Sequence, residues 1–149
     1  QLNFDQKIPF GTGNDETRSV AVADLNGDGF QDIIAANISE PNRIYFGKAN
    51  GQFDGGMIFD TTDNRTFSLN IADFDGDGDT DIVIANANQE NMVFYNEGNG
   101  ESWTGIKLSS FKHNTYDIIA ADLDNDGRPE IIEANSDERN IYYSNRKKE

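Results

Sequence analysis

Ala23-Asp24-Leu25-Asn26-Gly27-Asp28-Gly29-Phe30-Gln31-Asp32-Ile33-Ile34 decides the fold, because it returns twice in the same chain. The second copy runs Ala72-Asp73-Phe74-Asp75-Gly76-Asp77-Gly78-Asp79-Thr80-Asp81-Ile82-Val83, and the third begins Ala121-Asp122-Leu123-Asp124-Asn125-Asp126-Gly127. The first aspartates stand at 24, 73 and 122, a spacing of 49 both times. Thr17, Thr66 and Thr115 keep that register ahead of each copy; Asn37, Asn86 and Asn135, then Asn42, Asn91 and Asn140, keep it behind. A fixed period of this length marks stacked or radial repeats. It divides the 149 residues into units of about 1–49, 50–98 and 99–149 within a single domain.

Each unit reads as four short strands without a helix. In the first two units the strands are 19–23 and 68–72, 32–36 and 81–85, then 43–46 and 92–95, with 53–59 as a fourth. They are rich in Ile, Val, Phe and Tyr and bounded by Gly, Asn and Asp, as strands are. Ile33-Ile34-Ala35-Ala36 and Ile82-Val83-Ile84-Ala85 are apolar on both faces. A sheet with one wet face would alternate apolar and polar residues instead. Four-stranded units covered on both sides by their neighbours satisfy this pattern, which predicts an all-β propeller with three blades in the chain.

Each aspartate loop joins the first and second strands of its unit. Side chains at positions 1, 3 and 5 of a tight loop converge, position 7 offers a carbonyl, and position 9 closes the shell from the next strand. An all-oxygen shell of this kind suits Ca²⁺. The expected ligands are Asp24, Asn26, Asp28 and Asp32; Asp73, Asp75, Asp77 and Asp81; and Asp122, Asp124, Asp126 and Glu130, with the carbonyls of Phe30, Asp79 and Arg128. That makes three Ca²⁺ per chain. Without metal, each loop would hold several like charges a few ångströms apart. A bare Asp-Gly hairpin turn is the plain alternative, and three loops with one ligand spacing stand against it. An EF-hand would need flanking helices and Glu at position 12. Ala35 and Ile84 hold that position in two loops, and strands flank all three.

These loops, with Tyr45-Phe46-Gly47, resemble the FG-GAP repeats of integrin α-subunit propellers and the related VCBS-type repeats of bacterial secreted proteins, over essentially the whole chain. The resemblance implies propeller blades, usually seven, with Ca²⁺ between the first two strands. It also implies work in adhesion, in lectins or beside secreted enzymes. The second and third units depart from it, with Tyr95-Asn96 and Ser144-Asn145 in place of Phe-Gly, a change expected to alter only a turn.

Three blades cannot close a ring, and an open arc would leave apolar faces and strand edges wet. Residues 4–10 match 53–59 and read as a fourth strand, while 140–144 read as a third strand. The expectation is a two-fold homodimer forming one six-bladed ring, each chain's first strand completing the other's last blade. A fragment of a larger propeller and a nine-bladed trimer are the alternatives.

Composition narrows the function further. A formal charge of −15, from 27 acids and 12 bases, argues against nucleic acid and anionic membranes. The lack of a long apolar run argues against membrane insertion. Low-affinity calcium loops point to a secreted, extracellular setting. No nucleophile or phosphate-loop motif is present, and most acids belong to the loops, so the chain is not expected to be an enzyme. His113 reads as a solvated residue and Trp103 as core. The face opposite the loops carries Arg18, Phe67, Tyr116 and the asparagine pairs, which would either bind a protein or glycan or merely shape turns and seal blade contacts. A non-catalytic binding scaffold is the leading reading. A lectin, or an ancillary or catalytic module of a secreted polysaccharide-degrading enzyme, stands behind it.

Overall fold

The computed structural model describes residues 4, 5, 7–62 and 65–146. Among them no helix forms. Eleven strands do: β1 (Thr17–Ala23), β2 (Asp32–Asn37), β3 (Asn42–Tyr45), β4 (Met57–Asp60), β5 (Thr66–Ala72), β6 (Asp81–Gln89), β7 (Met92–Asn96), β8 (Trp103–Lys107), β9 (His113–Ala121), β10 (Glu130–Asn135) and β11 (Ile141–Tyr143). Every pairing is antiparallel. The first repeat is a four-stranded sheet in sequence order, β1-β2-β3-β4. The second and third repeats share a seven-stranded sheet rather than forming separate units, because the end of β6 extends to pair Ala87 and Gln89 with Asn114 and His113 at the start of β9.

Two differences from the sequence reading concern the outer strands. The strand expected over 53–59 is shortened to β4, because the chain bends at Gly55 and Gly56 takes a φ of 85°; Phe53 meets Gly47 only as an isolated bridge. The strand expected over 4–10 does not form among its described residues, and Gln6 lies outside them. Phe4 and Ile8 are 83% and 52% exposed there, with no strand beside them to satisfy their backbone groups. The expected strand at 140–144 forms as β11, an edge of its sheet.

The cores lie between repeats. Leu25, Ile34 and Ile44 of the first repeat pack with Leu69, Ile82, Ile84 and Phe94 of the second. Phe74, Val83 and Val93 of the second pack with Ile118 and Ile131 of the third. Ile34, Ile44, Ile82 and Ile84 are fully buried, each contributing about 2–3 kcal/mol by leaving water. Burial of both sheet faces explains why β2 and β6 read as continuous apolar runs.

A polar ladder runs beside these cores. Asn42 Oδ1 accepts from Asn37 N at 2.7 Å, and its amide donates to Thr66 Oγ1 of the next repeat at 3.0 Å. Asn91 does the same with Asn86 N at 2.7 Å and Thr115 Oγ1 at 2.9 Å. Each amide also meets a carboxylate: Asn42 meets Asp60 at 3.0 Å, and Asn91 meets Glu133 at 2.6 Å. Asn37, Asn42, Asn86 and Asn91 are all buried. Their amides are therefore spent inside the fold, joining one repeat to the next.

Candidate metal loops

The three loops share one hydrogen-bond pattern. The position-1 aspartate accepts from N–H groups of the loop it opens: Gly27 at 2.8 Å and Gly29 at 2.9 Å for Asp24, Gly76 at 2.7 Å and Gly78 at 3.0 Å for Asp73. Asp122 accepts from Gly127 at 3.0 Å. These short side chains hold the chain in turns, as Asx residues do. Gly27 and Gly76 have φ of 72° and 83°; Asn125 takes their place in the third loop at 61°, the non-glycine best suited to that conformation. Asp28, Asp77 and Asp126 each accept from the N–H two residues on, that of Phe30, Asp79 and Arg128. The residues expected to lend carbonyls are thus fixed in place by the position-5 carboxylates.

The position-9 acid clamps the loop to the sheet. Asp32 accepts from Leu25 N and Gly47 N, both at 2.9 Å. Asp81 accepts from Phe74 N at 2.8 Å and Asn96 N at 2.9 Å. Glu130 accepts from Leu123 N at 2.8 Å and, more loosely, from Asn145 N at 3.4 Å. Asp32, Asp81 and Glu130 are all buried, so each carboxylate is paired with backbone donors as burial requires.

Convergence differs among the loops. Carboxylate oxygens of Asp73, Asp75 and Asp81 lie within 4.8 Å of one another, and so do those of Asp122, Asp124 and Glu130. Positions 1, 3 and 9 therefore meet in two loops, while Asp77 and Asp126 stay outside those groups. In the first loop Asn26 stands at position 3, and no three carboxylates come together there among the described residues. Burial first, and then the negative charges of Asp75 and Asp77, push the Asp81 carboxyl up to about 6, against the lowering effect of Asn96 N and Phe74 N. Asp75 is raised by burial and then by Asp77 and Asp73, and Asp32 by burial and then by Asp28 and Asp24. Acids that resist ionising together are what a cation would relieve. Three carboxylates and loop carbonyls form a hard, oxygen-only donor set, which fits Ca²⁺.

The sequence reading missed Asn96 and Asn145. Asn96 Nδ2 donates to Leu25 O at 2.8 Å, and Asn145 Nδ2 to Phe74 O at 2.8 Å. Asn96 ties the end of β7, and Asn145 the segment just after β11, to the metal loop of the preceding repeat. Their exchange for glycine does more than alter a turn. The signal was the shared 49-residue spacing of Gly47, Asn96 and Asn145. At Gly47 a Cβ would meet Gln31 O at 2.2 Å, so only glycine fits the first repeat as it is folded.

His113 is the first residue of β9, half-buried, with Nδ1 2.7 Å from Glu138 Oε2. It is thus held against the Glu138 side chain in a strand rather than solvated in a loop. Trp103 packs on Phe59 at 5.9 Å between ring centroids, and its Nε1 donates to Gly100 O at 2.9 Å. On the face opposite the metal loops, Arg18 sits 5.9 Å over the Phe67 ring, and Phe67 meets Tyr116 edge-on at 4.6 Å. These three residues hold one repeat position, 49 apart.

The FG-GAP-like repeat family matches residues 24–84 and again 73–133. The two matches span most of the chain, and the protein belongs to the FG-GAP-like repeat family. No curated protein matches the chain.

Proposed function

We propose that this chain is a non-catalytic, calcium-stabilised β-propeller scaffold that works outside the cell and presents a face to a protein or glycan. The observation that carries the reading is the meeting of three carboxylates in each of two loops one repeat apart. Asp73, Asp75 and Asp81 would hold one ion, and Asp122, Asp124 and Glu130 a second. Asp24, Asn26, Asp28 and Asp32 would hold a third, with the amide oxygen of Asn26 in place of a carboxylate. Asp77, Asp126 and the carbonyls of Phe30, Asp79 and Arg128 would complete the shells. The ion supplies the positive charge these acids lack, and three of them would offset six of the fifteen net negative charges. The chain's own residues do the remaining work: position 1 shapes the loop, and position 9 clamps it to the third strand.

The ligand face is carried by Arg18, Phe67 and Tyr116. With Asn37, Asn42, Asn86 and Asn91 spent on the ladder, exposed Arg18 and Tyr116 with half-buried Phe67 between them are the main part of the expected platform still open to a ligand. An aromatic column flanked by a guanidinium suits a sugar ring or a protein loop. Calcium loops of modest affinity also match the millimolar supply outside cells.

Melting curves with calcium and with chelator test the metal reading. Asp75→Ala should lower the melting temperature in calcium by several degrees and leave it almost unchanged in chelator. Equal losses in both conditions would show that Asp75 acts through turn geometry alone.

A further inference from the structure

The two ends of the stack of repeats expose residues whose counterparts are buried. Val20 and Val22 of β1 are 55% and 53% exposed, whereas Leu69 and Ile118, one and two periods after Val20, are 5% and 1% exposed. At the other end Leu123 and Tyr142 are 56% and 58% exposed, although Leu25 and Phe74, or Ile44 and Val93, are all nearly buried. The polar ladder is open at the same places. Asn42 and Asn91 each donate to a threonine of the following repeat. By period the next pair is Asn140 with Thr17, and both are exposed. One end of the molecule thus carries the complement of the other.

Aromatic packing extends the match to the strand level. Phe59 touches Phe94 at 5.3 Å, edge-on, and Trp103 at 5.9 Å. One period earlier Phe10 touches Tyr45 at 5.5 Å, edge-on, and Phe53, one residue off the register of Trp103, at 6.0 Å. Phe10 therefore already sits on the first repeat as the outer strand of a preceding unit would. One period later Leu108 and Tyr143 stand in the places of Phe59 and Phe94. There the third member is missing, and a groove of about 140 Å³ opens instead, lined by Tyr95, Ile106, Leu108, Tyr143 and Asn145 among others. Phe4 precedes Phe10 by the spacing that separates Phe53 from Phe59, and it is 83% exposed.

Pro9 fits the same register. Leu108 N donates to Asn91 O across the outer strand pair, so the adjacent Lys107 N–H points away from the sheet. Pro9 lies two periods before Lys107, where a missing N–H costs nothing, as proline on an edge strand requires.

Resting on the propeller reading above, we propose that the stretch from Phe4 to Phe10 of one chain adds to the open edge of β11 in a second copy, with Phe4 filling the groove beside Leu108 and Tyr143. The exchange is mutual. Val20 and Val22 of each copy then cover Leu123 and Tyr142 of the other, and Asn140 meets Thr17. Two head-to-tail junctions close the assembly, and six repeats fall within the usual size of propeller rings. Lys7 stands where Gly56 and Gly105 lie against the rings of Tyr45 and Phe94; Tyr143 must turn aside to admit it.

Light scattering on a sizing column in millimolar calcium should give about twice 16.6 kDa. Phe4→Asp should raise the dimer dissociation constant at least tenfold while the circular dichroism spectrum keeps its β-sheet form. The native chain has no cysteine, so Phe4→Cys with Leu108→Cys gives a direct readout. Mild oxidation should yield a covalent dimer, in high proportion and independent of dilution below the micromolar range once formed. A monomer at all concentrations, a trimer mass, or a dimer indifferent to Phe4→Asp and without the cross-link would each overturn the strand exchange. Calcium uptake is measured separately, so the metal reading stands or falls by itself.

Discussion

Asp81→Ala is expected to lower the free energy of unfolding by about 3–5 kcal/mol, and much of that loss should persist in chelator. Asp81 is fully buried, and its two oxygens accept from Phe74 N and Asn96 N. Truncation leaves two backbone donors without partners, each costing about 1–3 kcal/mol. It also frees the third strand from the loop that would hold the ion. Asp75→Ala removes an exposed carboxylate that orients only Asp77 N, so its cost should follow calcium. Urea titrations of both variants, with and without chelator, separate the two roles. If Asp81→Ala lost stability only in calcium, the clamp would be contradicted.

Asn91→Ala should cost about 3–4 kcal/mol, although it lies far from any metal loop. Its side chain accepts from Asn86 N and donates to Thr115 and to Glu133, a residue only 1% exposed. Removing the amide strands a buried carboxylate, which is more damaging than losing a neutral hydrogen bond. Glu133→Gln in the same chain should return about 1 kcal/mol or more, because the uncharged amide no longer needs a matching donor as strongly. Such coupling is read from a double-mutant cycle. A cost below about 0.5 kcal/mol for Asn91→Ala would return the asparagines to the ligand face.

Much of this architecture was legible in the sequence because repetition multiplies weak signals. One Asp-Gly-Asp-Gly turn says little, whereas Asp24, Asp73 and Asp122 in register place the same loop between the same two strands three times. The two-sided apolar runs at 33–36 and 82–85 similarly announced interior strands. Less legible were features in which one repeat borrows from another. Asp60 supplies a carboxylate to Asn42 from its own repeat. One period later Ser109 cannot, and Glu133 does so from the third repeat, at a position held by Ala35 and Ile84 elsewhere. Sequence grammar treats that glutamate as a flaw in a strand until the missing partner is noticed. The asparagine pairs were open to two readings, a binding surface or residues that shape turns. Packing favours the second for the first two pairs, because the amides of Asn37, Asn42, Asn86 and Asn91 all have fixed partners. The outer strands were overextended because strand propensity at 53–59 cannot reveal the bend at Gly55 and Gly56, and propensity at 4–10 cannot supply the neighbour a strand needs.

The most direct test of the account is calorimetric titration of the chelator-stripped protein with calcium. Uptake approaching three ions per chain, with the Asp73 and Asp122 loops accounting for two of them by Asp75→Ala and Asp124→Ala, is the predicted result. A flat titration at millimolar calcium, with no change in melting temperature, would contradict it and leave the aspartate loops as turns.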